Sequence, residues 1–194
     1  MDTQAATADR RVLTNNDARI DAALLNLAAD GVPLTHDAVA AVSGISRRTV
    51  YRRFADQPAL RARLWDLLSP PGGMPRDLSA LLERELRETF EKFDTNRAAM
   101  AVATASAEGR QMRMERKDER VAAYSRAFAG HTGSLPDKAR RQANGVLQLL
   151  CSGLAWREMR DQWDLDGTET AEASVWALRI LLAHLARGDA PGVD

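Results

Sequence analysis

Residues 35–54 read THDAVAAVSGISRRTVYRRF, two short helical segments separated by a turn that contains Gly44. Thr35 and Ser46 precede the two segments, and their hydroxyl groups suit the N-cap position because they accept hydrogen bonds from free N–H groups of the first helical turn. Gly44 can adopt the positive φ that a tight turn between helices requires. The stretch therefore predicts a helix-turn-helix unit.

Helical spacing divides the second helix of this unit into two faces. Val50 and Phe54 lie four residues apart, so they share an inward face, and we expect Ile45 of the turn to fill the small core beside them. The opposite, outward face carries Arg47, Arg48, Tyr51 and Arg52.

The charge of the chain is unevenly distributed. The 27 basic and 27 acidic residues cancel, yet residues 44–63 contain six arginines and a single acid, Asp56, for a local charge of +5. An ordinary solvated helix face is the simplest explanation of such a run. Four arginines within seven residues, on the second helix of a helix-turn-helix, instead favour DNA contact, since arginine binds both guanine edges and phosphates.

The rest of the 194-residue chain predicts an all-α protein, because alanine and leucine dominate and no long stretch alternates with period two. The sequence PPGGMP at 70–75 marks the best boundary between domains. We expect a helix-turn-helix domain at 1–69, with a polar arm at 1–15, and a helical bundle domain at 75–188, about nine helices in all. Arg10 and Arg11 of the arm are either solvated or in contact with phosphate or the minor groove.

Several helix bounds follow from apolar spacing, capping residues and glycines. The first helix is expected from about Asn16 to Ala29, with Ile20, Ala23, Leu24 and Leu27 as its apolar stripe. In the second domain we predict helices at about 96–107, 110–129, 136–163 and 168–187. The run at 146–156 is apolar nearly all round, so we expect it to be buried on more than one side.

The N-terminal 69 residues resemble the DNA-binding domain of TetR-family transcriptional regulators. The resemblance is carried, in order and spacing, by Asp30-Gly31, the helix from Thr35 to Val42, Ser43-Gly44-Ile45-Ser46, Thr49-Val50-Tyr51-Arg52-Arg53-Phe54 and Asp56-Gln57-Pro58-Ala59-Leu60. It implies an N-terminal helix-turn-helix domain, a C-terminal bundle that binds a small-molecule effector, and a homodimer formed by the last two long helices.

The resemblance and the basic face together predict the residues at the DNA interface. They are Thr35, Ser46, Arg47, Arg48, Thr49, Tyr51, Arg52, Arg53 and Gln57. Gln57 stands where the family usually has a phosphate-binding lysine, although the N-terminus of the fourth helix still presents N–H groups to an anion. Tyr51 is either half-buried packing or, as we favour, a phosphate contact through its hydroxyl.

Two further sets of residues are expected in the second domain. An effector pocket would be lined by Phe90, Phe93, Met100, Met112, Tyr124, Phe128, Gln148 and Trp156, most of which would serve equally well as plain core. A dimer interface would use Leu147, Leu150, Leu154, Val175, Leu178, Leu182 and Leu185.

Other kinds of chemistry lack a signal in the sequence. Cys151 is the single cysteine and is expected to be a buried core thiol, and the three histidines are too dispersed for a metal site and are expected at the surface or at helix ends. No nucleophile–base pair or phosphate loop points to an enzyme, and we expect no cofactor. Without an apolar run near 18 residues or a leader, we expect a cytoplasmic protein that does not enter the membrane.

These patterns predict a ligand-responsive transcriptional repressor that binds a pseudo-palindromic, double-stranded DNA operator as a homodimer. An unidentified small molecule would be its effector. The alternative is a helical dimerisation or adaptor protein without specific DNA binding, which the glutamine at position 57 supports.

Overall fold

The computed structural model describes the backbone of residues 3–192 and the side chains of residues 15–192. Every regular element in this part of the chain is helical, which confirms the all-α prediction. The α-helices are α1 (Thr3–Ala29), α2 (His36–Ser43), α3 (Arg47–Arg53), α4 (Gln57–Leu68), α5 (Leu78–Ala80), α6 (Leu86–Thr95), α7 (Arg97–Ala105), α8 (Ala107–Glu115), α9 (Lys117–Ala127), α10 (Ala129–Thr132), α11 (Asp137–Leu150), α12 (Gly153–Trp163) and α13 (Gly167–Ala186). A π-helical segment, Leu81–Glu85, joins α5 to α6.

The helices form two compact units. The first contains residues 3–68 together with 96–112, and the second contains 69–95 together with 113–192. The second segment of the first unit packs through α7 against α1. Among the helices that the structure describes, none is both long and apolar enough to cross a membrane.

The first unit is built around α1, which packs against α2, α4 and α7. Its predicted apolar stripe is confirmed, because Ile20, Ala23, Leu24 and Leu27 are all buried. Burying four such side chains contributes several kcal/mol, at about 25 cal/mol per Å² of apolar surface. This core contacts α2, which in turn packs against α3, and so it fixes the orientation of both helices.

The start of α1 differs from the prediction. The helix begins at Thr3, so residues 3–15, which we expected to form an arm, continue the helix toward its N-terminus. The side chains of Arg10 and Arg11 lie outside the described residues. The sequence of this segment lacks apolar periodicity and so predicted no helix, yet helical propensity can extend a helix that has already formed.

The second unit packs α13 closely against α6. A Cβ atom on Gly167 would lie 2.5 Å from the carbonyl oxygen of Phe90, so only glycine allows this approach. Asp166 caps α13 in a reciprocal capping box with Glu169. The start of α13 is therefore held both by its own cap and by the backbone of α6.

Three helices that were predicted between residues 96 and 163 have different bounds. The helix expected at 136–163 is interrupted at Cys151 and Ser152, where the Ser152 hydroxyl accepts a hydrogen bond from the backbone N–H of Ala155 and begins α12. The helices expected at 96–107 and 110–129 are instead α7, α8 and α9. The run at 146–156 is not buried all round, because Val146 and Leu149 are about half exposed.

Candidate nucleic-acid interface

The turn between α2 and α3 has the geometry that its residues predict. The Thr35 hydroxyl accepts a hydrogen bond from the N–H of Ala38 at 3.1 Å, and the Ser46 hydroxyl accepts one from the N–H of Thr49 at 3.2 Å. Gly44 has a φ of 65° and ends α2. Both predicted caps and the predicted turn are confirmed, so short-range chemistry determines where α3 begins.

The two faces of α3 are also confirmed. Val50 is fully buried and Ile45 is nearly so, whereas Phe54, at the C-terminal end of the helix, is half-buried. The side chains expected to point outward are exposed, and they are Arg47, Arg48, Tyr51 and Arg52. The outward face of α3 therefore presents three guanidinium groups and a phenol to solvent.

Carboxylates from α1 and α2 pair with several arginines of this basic region. Asp37 lies 2.8 Å from Arg47 Nε, and Asp17 lies 2.5 Å from Arg53 Nη2. Hydrogen bonding to Tyr51, followed by the charge of Asp37, raises the pKa of Arg47. These exposed pairs are weak in water, but they partly neutralise the positive charge that the local sequence suggests.

A third pair fastens α4 to α1. Arg63 Nε donates to Asp21 Oδ1 at 2.8 Å, and Arg63 Nη2 donates to Asp21 Oδ2 at 2.5 Å. Hydrogen bonding to Asp21 raises the pKa of Arg63. Two parallel hydrogen bonds of this kind fix the orientation of the two side chains. Arg63 therefore stabilises the packing of α4 on α1 and is not a candidate for binding at the outer surface.

Arg48 and Arg52 differ from these arginines because neither has a side-chain partner within the described residues. They lie four residues apart on α3 and therefore on one side of the helix. No described residue occupies the N–H donors of either guanidinium group. They are the strongest candidates for contact with an anionic ligand on this surface.

Arg19 of α1 adds a cation that sequence reasoning missed. A Cβ atom on Gly44 would lie 2.7 Å from Arg19 Nη2, so this guanidinium group covers the turn of the helix-turn-helix. The residues are 25 positions apart in the sequence. Only the packing of α1 against α2 brings them together, and no local pattern could have indicated it.

The remaining predicted interface residues are placed as follows. Thr35 and Thr49 are half-buried, and the Thr49 hydroxyl lies 2.8 Å from the Ser46 hydroxyl. Gln57 is exposed at the first position of α4. The Asp56 carboxylate already accepts the N–H of Ala59 at 2.8 Å, so it occupies the helix N-terminus that was expected to be open to an anion.

The predicted effector-pocket residues are divided between the two units. Met100 and Met112 belong to the first unit and the other six to the second. All are buried except Gln148, which is half-buried. In the second unit Phe93 lies between Phe90 and Trp156, with ring centroids 5.8 Å apart in each pair. Such contacts are those of a packed core, and the pocket stays a prediction.

Burial shifts the pKa of two groups in this core. It raises the pKa of the Cys151 thiol to about 12, and it raises the pKa of the Tyr124 hydroxyl well above its ordinary value. Both groups are therefore neutral at physiological pH. Cys151 is a buried core thiol, as predicted.

The residues predicted for a dimer interface have mixed exposure. Leu147, Leu178, Leu182 and Leu185 are buried in the core of the second unit, Leu150 and Val175 are half-buried, and Leu154 is exposed. The interface itself stays a prediction. Large apolar side chains that are exposed on the same helices also include Val146, Leu149, Trp163, Trp176 and Ile180.

One side of α13 borders a groove of about 490 Å³ within the second unit. Its large apolar lining residues are Leu82, Val175, Trp176 and Ile180. Arg87 and Glu172 also line the groove, and their side chains form an ion pair at 2.7 Å. None of the eight residues predicted for the effector pocket lines this groove. Trp176 is 67% exposed, an unusual position for tryptophan on a surface without a partner.

Comparisons with known proteins leave the family of the chain open. No protein-family model, curated protein or solved structure matches it.

Proposed function

We propose that the chain is a DNA-binding transcriptional regulator whose α2–α3 unit reads the major groove. The observation that supports this most directly is the pair Arg48 and Arg52, exposed on one side of a capped helix and without intramolecular partners among the described residues. Phosphates and guanine edges both satisfy free guanidinium groups. No catalytic activity is part of this proposal.

The arginines of this basic region would have two different roles. Arg53 and Arg63 are bonded to Asp17 and Asp21 of α1, so they support the position of the helices. Arg48 and Arg52 would make the intermolecular contacts, with Tyr51 beside them on the exposed face. In the complex with DNA, the Arg19 guanidinium group at the turn would be a further cation near the DNA.

Salt-dependent binding tests this proposal. A pool of random-sequence duplexes is titrated with the wild-type protein, with Arg48→Ala and with Arg52→Ala at several salt concentrations. Removing one arginine that binds a phosphate should reduce the slope of log K against log salt by about 0.9. Arg141→Ala removes an exposed cation from α11 and serves as the control. Equal slopes for the wild type and for Arg48→Ala combined with Arg52→Ala would refute the proposal.

A homodimer and an effector complete the proposal, as the resemblance to TetR-family regulators implies. Two copies of α3 can enter successive major grooves when their separation is near one helical turn of DNA, about 34–36 Å. The exposed apolar side chains of α13, Trp176 and Ile180, would meet the partner copy. Effector binding in the second unit would change the separation of the two α3 helices and release the operator, which makes the protein a repressor.

The alternative is a helical dimerisation or adaptor protein without specific DNA binding. It is favoured by the carboxylates of Asp17, Asp21 and Asp37, which neutralise three arginines of the basic region, and by the uncharged Gln57. Binding to DNA distinguishes the two functions. An adaptor would form its dimer normally but would bind neither a random duplex pool nor any sequence selected from it.

A further inference from the structure

His36 lies at a helix end, one of the two locations expected for the histidines, because it is the first residue of α2, and its side chain is buried. Only 6% of its surface is accessible. The polar group of a buried imidazole needs a partner, because a buried polar atom without a hydrogen bond costs free energy. The partners of His36 lie on α3.

The imidazole contacts α3 at two points. Its ring is stacked on the ring of Tyr51, with centroids 3.8 Å apart and an interplanar angle of 1°. Its Nε2 atom lies 2.8 Å from the carbonyl oxygen of Phe54, the residue that ends α3. Since a carbonyl only accepts, Nε2 must carry the proton and donate it to this bond.

The next residue of α2, Asp37, is linked to the same aromatic ring through Arg47. The guanidinium carbon of Arg47 lies 5.4 Å from the centroid of Tyr51, and Asp37 is the ion-pair partner of Arg47. The first turn of α2 thus contributes one ring and one carboxylate to the arrangement around Tyr51. Tyr51 itself stays 44% exposed, so this contact orients the ring without removing it from the surface.

We propose that His36 is a positioning residue for DNA binding, which holds the Tyr51 side chain in its binding orientation and fixes the last turn of α3 through the Phe54 carbonyl. This inference rests on the proposed function. A side chain that is already ordered in the free protein loses less conformational entropy when it binds. The stacked imidazole therefore strengthens the complex without touching DNA.

Two substitutions separate the two contacts of His36. His36→Gln keeps an amide N–H that can donate to the Phe54 carbonyl but removes the ring under Tyr51. His36→Phe keeps a ring for stacking but removes the donor. His184→Gln, at an exposed position near the end of α13, is the matched control.

A double-mutant cycle tests the coupling of His36 to Tyr51. Affinity is measured for a duplex that the wild type has selected from a random pool, at one salt concentration and well below the unfolding midpoint of every variant. With Tyr51 present, His36→Gln should weaken binding about two- to tenfold, the change expected for ordering one free side chain. With Tyr51→Ala, the same change should have no further effect.

His36→Phe should recover most of the affinity while its unfolding midpoint falls, because the Phe54 carbonyl no longer has its donor. An equal decrease in affinity from His36→Gln with and without Tyr51 would overturn the inference, since His36 would then act independently of Tyr51. Failure of the wild type to bind any duplex would instead overturn the proposed function and, with it, a role of His36 in DNA binding.

The stacking itself is measured without DNA. The ring protons of His36 should resonate upfield in NMR spectra of the free protein, because they lie over the face of Tyr51, and Tyr51→Ala should remove that shift. Unshifted His36 protons in the wild type would overturn the inference and leave the proposed function standing.

Discussion

Asp94, near the end of α6, should be one of the costliest residues to replace in the second unit. Its carboxylate accepts hydrogen bonds from Trp156 Nε1 at 3.0 Å, from Arg160 Nη1 at 2.8 Å and from the backbone N–H of Gly167 at 2.5 Å. One side chain thereby joins α6 to α12 and to the start of α13. The Arg160 guanidinium group also lies over the Trp156 ring, at 5.2 Å from its centroid.

The expected loss of stability follows from the hydrogen-bond donors that Asp94→Ala leaves without an acceptor. Trp156 and Gly167 are buried, and each buried donor without an acceptor costs about 1–3 kcal/mol. Arg160 is 13% exposed at its side chain, and breaking a buried ion pair costs about 3–5 kcal/mol. These costs share one carboxylate and are not additive, and Asp94 itself is 29% exposed. We therefore expect a decrease near the lower end, about 3 kcal/mol, in the free energy of unfolding.

Urea unfolding followed by tryptophan fluorescence measures this decrease. Three of the four tryptophans belong to the second unit, which makes the signal report mainly on it. For a chain of this size, 3 kcal/mol corresponds to a fall of about 6–12 °C in the thermal midpoint. Asp94→Asn retains one acceptor oxygen and should fall between the wild type and Asp94→Ala.

Glu88→Ala is the matched control for Asp94→Ala. Glu88 forms an exposed i,i+4 pair with Arg84 on the neighbouring α6 surface, and such pairs contribute about 0.3–0.5 kcal/mol. If Asp94→Ala and Glu88→Ala shifted the unfolding midpoint equally, the argument from three shared hydrogen bonds would be wrong.

Three other predictions concern a turn, a buried thiol and an exposed surface. Gly44→Ala forces alanine into a φ of 65° and should destabilise the protein by about 1–2 kcal/mol. Gly145→Ala, in open space within α11, should instead stabilise the protein by about 0.5–1 kcal/mol. Calorimetry that gave both changes in stability the same sign would contradict this prediction. The folded-state pKa of Cys151 rises from 9.0 to about 12, so the unfolded state loses its thiol proton first, and the free energy of unfolding should fall with increasing pH in this window by at most about 1.4 kcal/mol per pH unit. Urea titrations should show that part of the slope missing in Cys151→Ala, and identical slopes would exclude the effect. Trp176→Asp should convert the proposed dimer to monomers in sedimentation experiments while Trp163→Asp, also at an exposed tryptophan, should not; a dimer that survives Trp176→Asp would place the interface elsewhere.

Local chemistry explains which features of the candidate interface could be predicted. The Thr35 and Ser46 caps, the positive φ of Gly44 and the inward position of Val50 each depend on residues within about four positions of one another. Spacing of this kind is visible in any sequence. For the same reason the arginines of α3 could be assigned to the outward face before their partners were known.

Long-range contacts explain what could not be predicted. His36 stacks on a residue 15 positions away, and Arg53 bonds Asp17 across 36 positions. The interruption at Ser152 was missed because the surrounding residues favour helix, and one hydroxyl group was enough to begin a new one. The stripe of leucines on α13 was assigned to a partner, yet the same apolar spacing serves equally well for the core of the chain itself.

The sequence by itself determined the all-helical class, the caps and turn between α2 and α3, and the two faces of α3, since these depend on backbone hydrogen bonding and helical period within a few residues. Only the tertiary structure decided which arginines keep their donors free. Asp17, Asp21 and Asp37 reach Arg53, Arg63 and Arg47 because the helices pack side by side, and Arg48 and Arg52 stay without a partner on the described surface. A charge counts for binding according to what lies within a few ångströms of it, and that distance is set by packing.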